Sequence, residues 1–502
     1  MKDKILVWVS PDILHYLIAY GIQKNYDAEY FSIFDVPNET KKFFLKQKFL
    51  NFSKSWFFFD NVKRTNISPD YDYLHSFEKK YNIKLWKLAI NERIFYRFFG
   101  FHKFTAKEIC SILEQECRFF EKILDEIKPD FIITKDGSRH HHQLFTDLCV
   151  SKGIKVLTLS LTHLGSKTMI SQSSHIFDTK INWEMIQSEN RTLQQLQDYL
   201  KSHHFLKFAK KNIDKKSPKI DALKVALRYI FSDTSSNREQ YYYYGRTKLK
   251  VLLFLLTSFF KRKYRKSFID KNLIKEPDYN TQYVYFPLHV DMERPLLIMA
   301  PFFTNQIEII RHIAKSLPMG LRLYVKETPA AVTRDWRPIS IYNEIMSIPN
   351  VTLIHPSIPA EKLMKNCSLV FNIAGTSGFE AAFFGKPSIV FSDVGYLELS
   401  SVSRVRNIED LPKIIDKSIN SRVNEAELDK FVNFLEQNTI DFNWFDMEDK
   451  IRNTFFHGGS TMDANISPIT MESFLENNAS ILDYVGKEHI KKIQNIKHRN
   501  KN

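Results

Sequence analysis

The apolar positions at the start of the chain change spacing twice, from continuous to helical and back to continuous. Residues 5–9, ILVWV, form a short apolar run, and residues 28–34, AEYFSIF, form another. The residues 10–12, Ser-Pro-Asp, interrupt the first run and are typical of the start of a helix. Apolar side chains then recur at helical spacing at Ile13, Leu14, Leu17, Ile18 and Ile22. The pattern predicts a strand, a helix and a strand, which together form a βαβ unit.

The same alternation returns in two later parts of the chain. Between residues 106 and 161 the pattern predicts a helix, the strand FIIT, a second helix and the strand IKVLTLSL. From residue 283 to 392 it again predicts strands and helices in turn, with strands at YVYFPL, LLIMAPF, LRLYVKE, VTLIH, LVFNI and SIVFS. Strands that alternate with helices form parallel sheets. We therefore predict an α/β fold with two Rossmann-like domains that face a cleft.

The alternation also divides the chain into regions. We predict an N-terminal Rossmann-like domain at 1–169 with an aromatic and basic insertion at about 40–105, a helical connector at 170–282, a C-terminal Rossmann-like domain at 283–420, and a helical region with a basic tail at 421–502. A chain of 502 residues is long enough for two or three separate cores.

Composition narrows the class of partner. The formal net charge is +15, which predicts attraction to nucleic acid, to an anionic membrane or to phosphorylated substrates. The aromatic residues do not interleave with the charges as in known nucleic-acid motifs, so we expect no nucleic-acid partner. The four cysteines show no CxxC spacing, which argues against disulfides and a zinc site and suits a reducing cytoplasm.

One apolar segment has an unusual setting. Residues 251–260, VLLFLLTSFF, are about half the length that a membrane span needs. They lie between GRTKLK and KRKYRK. This layout suits either a buried core helix with solvated ends or a helix that lies on an anionic membrane surface. Both interpretations remain open, and the second places the protein at the inner face of the cell membrane.

The turn Gly375-Thr376-Ser377-Gly378 follows a predicted strand and precedes a predicted helix. Its spacing matches neither a nucleophile elbow, nor a Walker A loop, nor a dinucleotide fingerprint. Glycines at the carboxyl end of a strand let backbone amides approach a ligand, and a helix start favours an anion. Glu380, one turn into the helix, offers an acceptor for sugar hydroxyls. The alternative is a tight corner with a helix cap.

Three motifs together resemble one family. LYVKETPA at 323–330, IPNVTLIHPSIP at 348–359 and NIAGTSGFEAAFFGKPSIVF at 372–391 are similar to the C-terminal half of capsule polysaccharide biosynthesis proteins, which are GT-B glycosyltransferases related to Kdo transferases. The resemblance covers about 280–412 and extends weakly to 129–161. The family pattern Lys-Glu-His-Pro is replaced here by Lys-Glu-Thr-Pro, with Thr328 in place of the histidine.

The resemblance implies a GT-B-like fold and a glycosyltransferase that moves a sugar from a nucleotide-sugar donor to a surface polysaccharide or a lipid-linked glycan. It implies that the C-terminal domain binds the donor and that the N-terminal domain binds the acceptor. The nucleotide sugar is a co-substrate, and neither another cofactor nor a metal is expected. The implied donor-binding residues are Lys326, Glu327, His355, Gly375, Thr376, Ser377, Gly378 and Glu380. A catalytically silent scaffold and a GT-B nucleotide-sugar epimerase remain as alternatives.

Two places in the N-terminal half offer a general base for an acceptor hydroxyl. Asp12 and His15 follow the first strand, and Asp136 and His140 follow the strand FIIT. The run at 140–142 contains three histidines. Consecutive helical side chains point about 100° apart, so the three cannot all converge on one metal ion. We therefore expect polar or phosphate contacts from these histidines instead of a metal site.

Overall fold

A computed structural model describes most of the chain. The described residues are 2–97, 101–162, 164–174, 176–178, 180–203, 238–456 and 466–499. Residues 204–237, in the middle of the predicted connector, lie outside the described residues. The chain forms two compact units. The first unit contains Met1–Asp178, His203–Lys250 and Asn438–Asn502, and the second contains Thr179–Ser202 and Val251–Gln437.

The first unit is built on a six-stranded sheet. The strands are β1 (Lys4–Val9), β2 (Glu29–Phe34), β3 (Lys54–Phe57), β4 (Phe131–Lys135), β5 (Lys155–Leu161) and β6 (Thr168–Ser171). Their order across the sheet is β3-β2-β1-β4-β5-β6, and only β6 runs antiparallel to its neighbour. This is the strand order of a Rossmann fold. From β1 to β3 each new strand is added toward one edge of the sheet, and from β4 to β6 each new strand is added toward the other edge.

Helices cover both faces of this sheet. They are α1 (Leu14–Asn25), α2 (Asn38–Phe44), α3 (Phe58–Asn61), α4 (Tyr71–Tyr81), α5 (Leu85–Asn91), α6 (Ala106–Ile127) and α7 (His140–Ser151). Strand β1 has apolar side chains on both faces of the sheet. Ile5, Val7 and Val9 belong to one apolar cluster, and Leu6 and Trp8 belong to another. A strand buried on both faces reads as a continuous apolar run.

The second unit repeats the same architecture. Its strands are β7 (Tyr283–Pro287), β8 (Arg322–Lys326), β9 (Val351–Ile354), β10 (Val370–Asn372), β11 (Ser388–Val390) and β12 (Val402–Arg404). All are parallel, in the order β12-β11-β10-β7-β8-β9. Counted from β7, this is again the Rossmann order. The predictions of an α/β fold and of two Rossmann-like domains are confirmed.

The remaining helices complete the two units. They are α8 (Leu193–Ser202), α9 (Arg238–Tyr243), α10 (Lys248–Asn272), α11 (Gln306–Ser316), α12 (Ile339–Met346), α13 (Ala360–Asn366), α14 (Ser377–Phe383), α15 (Leu411–Ile419), α16 (Glu425–Gln437), α17 (Trp444–Phe455), α18 (Pro468–Asn477) and α19 (Ala479–Arg499). The predicted C-terminal region 421–502 is shared between the units, because α16 belongs to the second and α17, α18 and α19 belong to the first.

The end of the chain closes the core of the first unit. Helix α19 packs along α1. Two glycines allow this contact: a Cβ on Gly21 would lie 2.1 Å from the carbonyl oxygen of Leu482, and a Cβ on Gly486 would lie 2.5 Å from the backbone of Gly21. Since real Cβ atoms do not approach backbone so closely, any larger residue would push the two helices apart.

Some predicted elements are wrong. The apolar stretch LLIMAPF was predicted as a strand, but Pro295–Met299 forms a single π-helical turn. Helix α1 begins at Leu14 after Ile13 in the left-handed region at φ 54°, and Ser10 does not cap it. The strands β3, β6 and β12 were not predicted, because each is three or four residues long and lies near a sheet edge.

Helix α10 contains the apolar segment 251–260, and its apolar side chains are exposed. Leu253, Phe254, Leu255, Leu256, Phe259 and Phe260 are between 44% and 67% exposed. Among the residues of α10, only Ser258 and Ile269 are buried. The interpretation of this segment as a buried core helix is therefore wrong. A search of the described residues found no helix long and apolar enough to cross a membrane.

Candidate functional site

Each sheet has one position where the direction of strand addition reverses. Open α/β sheets bind ligands outside the carboxyl ends of the strands at such a position. In the first unit it lies between β1 and β4, and in the second it lies between β7 and β10. The residues that follow these four strands therefore define a candidate site in each unit.

The turn after β10 is held by hydrogen bonds within the second unit. The hydroxyl of Tyr396 donates to the carbonyl of Gly375 at 2.6 Å, and the amide of Asn372 donates to the same oxygen. The N–H of Gly375 donates to the side-chain oxygen of Asn372 at 3.2 Å. The turn is thus a rigid corner at the carboxyl end of β10, with helix α14 directly after it.

The two glycines of this turn are required by neighbouring side chains. A Cβ on Gly375 would lie 2.9 Å from Nε2 of His289, and a Cβ on Gly378 would lie 2.8 Å from the hydroxyl of Tyr396. Neither glycine has a positive φ, so close packing is the reason for their presence. The structure corrects the interpretation that they leave room for a ligand, because protein atoms fill the space beside each glycine.

The polar residues of the turn face the start of α14. The Thr376 hydroxyl donates to the carboxylate of Glu380 at 2.7 Å. Thr376, Ser377 and Glu380 are half-buried. The N–H groups of Ser377 and Gly378 occupy the first two helical positions, where no acceptor exists within the helix. These N–H groups and the Ser377 hydroxyl are the donors that an anion at this corner would meet.

Lys326 ends β8, the strand next to β7. It is buried, and its ammonium donates to the carbonyl of Glu327 at 3.3 Å. Burial lowers the pKa of Lys326 to about 8. A lysine with this pKa is mostly charged at neutral pH, and a nearby anion would stabilise that charge.

The carboxylate of Glu327 is bound by neighbouring protein groups. Its carboxylate is fully buried and accepts hydrogen bonds from Nε of Arg337 at 2.9 Å and from the Tyr342 hydroxyl at 2.8 Å. Arg337 also donates to Asp291 and to the carbonyl of His289. We therefore correct the prediction that Glu327 contacts a donor, since its carboxylate instead fixes Arg337 and the loop after β7.

His289 is the residue of this site that sequence reasoning missed. It follows β7, on the other side of the reversal from the Gly375 turn, and its ring lies against that turn. Burial and the charge of Arg337 lower the pKa of His289 to about 4, so the imidazole is neutral. The signal available in the sequence was its position two residues after a strand next to the reversal.

His355 does not join this group. It follows the edge strand β9, and its ring bonds to Asp270 of α10 at 3.1 Å and to Ser357 at 2.6 Å. The structure therefore separates His355 from the Gly375 turn, because β7 and β8 stand between β9 and β10 in the sheet.

Asp12 and Asp136 flank the reversal in the first unit. Asp12 follows β1; its carboxylate accepts from the N–H of Leu14 at 3.2 Å and forms an ion pair with Lys135 at the end of β4. Asp136 comes next in the chain and is half-buried. Burial lowers the pKa of Lys135 to about 8. Two carboxylates and one lysine thus meet at the predicted edge of the sheet.

His15 does not belong to this site. Its ring is fully buried, close to Trp444 of α17, with ring centroids 6.4 Å apart. Burial and the charge of His489 lower the pKa of His15 to about 3. The prediction that His15 faces an acceptor is corrected, because the C-terminal helices cover it.

His140 is also inaccessible to a substrate. Nδ1 lies 2.8 Å from Glu92 and Nε2 lies 3.0 Å from Glu116, and all three side chains are buried. Burial alone would lower the pKa of His140, but the charge and hydrogen bond of Glu116, and then those of Glu92, raise it to about 10. An imidazolium between two carboxylates cannot accept a proton from a hydroxyl. The prediction that His140 acts as a general base is therefore corrected.

The comparisons with known proteins find similar structures at low identity. The UDP-GlcNAc 2-epimerase from Methanocaldococcus jannaschii is 14% identical, with 87% of this chain and 100% of that one covered and a TM-score of 0.24. The UDP-GlcNAc 2-epimerase from Neisseria meningitidis bound to UDP-GlcNAc is 14% identical, with 87% of this chain and 100% of that one covered and a TM-score of 0.26. The glycotransferase of kitacinnamycin is 12% identical, with 92% of this chain and 97% of that one covered and a TM-score of 0.22. No family model and no curated protein matches the sequence. The fold is shown by the strand orders of the two sheets themselves.

Proposed function

We propose that this chain is a glycosyltransferase that transfers a sugar from a nucleotide-sugar donor to a surface polysaccharide or a lipid-linked glycan. One observation carries the proposal: three adjacent strands of the second unit, β10, β7 and β8, end in the Gly375 turn, His289 and Lys326. A phosphate-binding corner, a neutral imidazole and a buried lysine at a strand-order reversal suit a nucleoside diphosphate. The resemblance of 323–330, 348–359 and 372–391 to capsule polysaccharide biosynthesis proteins supports the same assignment.

Each group of the second unit has a separate role toward the donor. The N–H groups of Ser377 and Gly378 bind a phosphate oxygen, because they have no acceptor within the helix. Lys326 neutralises the charge that grows on the nucleotide as the sugar departs. His289 replaces the imidazole that the family pattern places at position 328. Glu380 accepts a hydrogen bond from Thr376 and offers its carboxylate to a sugar hydroxyl of the donor.

The first unit provides the base for the acceptor. Asp136 lies next to the reversal between β1 and β4, where an acceptor hydroxyl would approach. Asp136 is half-buried at this position, and we assign the role of general base to its carboxylate. Removing a general base costs about 10²- to 10⁴-fold in rate. Asp136→Asn is therefore expected to lower kcat by that range and to leave donor affinity unchanged.

Helix α10 supports a membrane-associated acceptor. Between residues 248 and 266 the chain has seven basic residues and no acidic residue, around the exposed apolar segment 251–260. Apolar side chains in the acyl region with lysines at the headgroups are the arrangement of a surface-bound helix. We assign the anionic inner face of the cell membrane as the partner of α10, which would bring a lipid-linked glycan to the enzyme.

Titration calorimetry with CMP-, UDP- and GDP-sugars tests the donor site. We expect one class to bind the wild type and to bind Lys326→Met at least tenfold more weakly. Lys315→Met, which removes an exposed lysine of α11, is the matched control and should bind as the wild type does. Folded protein that binds no nucleotide sugar would contradict the proposal and favour a silent scaffold.

Incubation of the bound donor without an acceptor separates transfer from epimerisation. A transferase returns the donor unchanged apart from slow hydrolysis, whereas an epimerase returns a nucleotide sugar with one sugar carbon inverted. Recovery of the inverted nucleotide sugar would replace the transferase proposal with the epimerase one.

A further inference from the structure

A second group of chemically active side chains lies inside the first unit, apart from the Asp12 and Asp136 edge. Glu116 belongs to α6, and His140 and His141 open α7. One donor atom from each of these residues lies within 4.8 Å of the other two. All three side chains are at most 3% exposed. Two imidazoles and a carboxylate in one buried position are a common ligand set for transition metals.

Each histidine of this group also contacts a carboxylate that is not part of the group. Nδ1 of His140 lies 2.8 Å from Glu92, which leaves Nε2 on the side of Glu116. Nε2 of His141 lies 3.0 Å from Asp35. Metal-binding histidines almost always donate their other ring N–H to a carboxylate, carbonyl or water, which fixes the ring and its tautomer. Here both histidines have such an acceptor.

Two buried polar atoms at this group have no hydrogen-bond partner in the part of the chain that the structure describes. Oε2 of Glu116 is buried and has no hydrogen-bond partner among the described residues, and the same holds for the hydroxyl of Tyr243. A buried carboxylate oxygen without a partner is rare and costly. A cation bound to Glu116 would remove that cost.

Carboxylates contact both histidines of the group. Glu92 and Glu116 contact His140, and Asp35 contacts His141. Sequence reasoning rejected a metal because three consecutive histidines cannot converge. The structure meets that objection, since His142 turns away to Thr134 at 2.6 Å and Glu116 supplies the third ligand.

We propose that Glu116, His140 and His141 bind one divalent transition-metal ion, with Zn²⁺ as the ion to test. Ligands about 2.0–2.1 Å from a tetrahedral Zn²⁺ lie about 3.3 Å apart, so the donor atoms must close in by no more than about 1.5 Å. The burial of the group excludes a substrate, so the ion has a structural role. It fastens the start of α7, and therefore the loop that carries Asp136, to α6.

The test uses the full chain, purified without an affinity tag and stripped with a chelator. We expect one Zn²⁺ per chain by elemental analysis after dialysis, an increased Tm with Zn²⁺, and a visible absorption of the Co²⁺ form that reports nitrogen and oxygen ligands. Glu116→Gln and His141→Gln should lose this stoichiometric binding. Glu92→Gln and Asp35→Asn should weaken it about 10- to 100-fold.

His142→Gln is the matched control, because His142 is equally buried and adjacent but contacts Thr134 instead. It should keep the Zn²⁺ and the Co²⁺ spectrum. Folded wild-type protein that takes up no Zn²⁺ and no Co²⁺ would overturn the proposal, whether or not the variants fold. Equal loss of Zn²⁺ in His142→Gln and His141→Gln would place the ion elsewhere and overturn it as well.

Discussion

At the scale of single residues, the ring of His289 limits the size of the side chain at position 375. The ring of His289 fills the space where any other residue at position 375 would carry its Cβ. The contact joins the residue that follows β7 to the turn that follows β10. The two sides of the strand-order reversal are therefore packed against each other. An enlarged side chain at position 375 would therefore act on the imidazole as well as on the turn.

Gly375→Ala is expected to destabilise the second unit by about 1–3 kcal/mol, because the added methyl overpacks against the imidazole. His289→Ala opens that space, so the double variant should lose less stability than the sum of the two single variants. Denaturant unfolding of the four proteins measures this coupling. Strict additivity would show that the two residues do not compete for space.

Lys326 gives the donor site a pH dependence. Its pKa of about 8 lies below the ordinary value of 10.5, so the ammonium loses its proton as the pH rises through 8. Donor affinity measured from pH 6.5 to 9.5 should fall on the alkaline side in the wild type. Lys326→Met should bind more weakly with a flat profile over the same range, and a wild-type profile that is flat as well would exclude Lys326 from the site.

At the scale of elements, α10 differs from every other long helix of the described residues in leaving its apolar segment exposed. Its basic side chains are placed partly by the protein: Arg262 pairs with Asp335, and Arg265 donates to the carbonyls of Asp335 and Trp336. These contacts hold the C-terminal half of the helix, so the apolar residues 251–260 stay on its outer side.

Flotation with vesicles of acidic phospholipid measures the contribution of this segment. Leu253→Ala with Phe260→Ala should lower recovery with the vesicles, by about tenfold in affinity for each truncated side chain. Phe302→Ala removes an equally large exposed ring, 84% exposed, outside α10 and should not change recovery. Equal recovery of all three proteins, or equal binding to vesicles without acidic lipid, would contradict the membrane assignment.

The elements that sequence patterns predicted well are those whose pattern is local. Residues 106–127 form an amphipathic helix with a Thr105–Glu108 capping box, and both features are readable from neighbouring positions. The stretch 295–299 was misread as a strand because a buried π-helical turn is as apolar as a buried strand. The positions of Asp12, Asp136 and Gly375 followed from strand ends, whereas the burial of His15, His140 and Glu327 depends on partners far along the chain.

At the scale of the whole molecule, the two ends of the chain meet in the core of the first unit. His15 near the beginning and His489 near the end are both fully buried, and burial lowers their pKa values to about 3 and about 4. Neither ring can be protonated without cost while α19 covers α1. The first unit therefore contains two neutral histidines that the unfolded chain would protonate near pH 6.5.

This arrangement predicts acid sensitivity. Between pH 6.5 and about 4 the unfolded chain binds protons that the folded unit does not, so stability is present above pH 6.5 and falls as the pH falls, by up to about 1.4 kcal/mol per pH unit for each histidine. Urea unfolding at pH 7 and pH 5 measures the loss. His15→Phe should reduce it, and an unchanged pH dependence would mean that His15 is protonated in the folded unit.

The return of α19 to α1 also has a consequence for synthesis. Both sides of the glycine contact, Gly21 and Gly486, are needed to complete the first unit, and they are separated by almost the full length of the chain. On the ribosome, the second unit has all its residues available by position 437, whereas the first unit still lacks α17, α18 and α19 at that point. The domain that emerges first is thus the last to mature, and until then its open apolar face is exposed to chaperones.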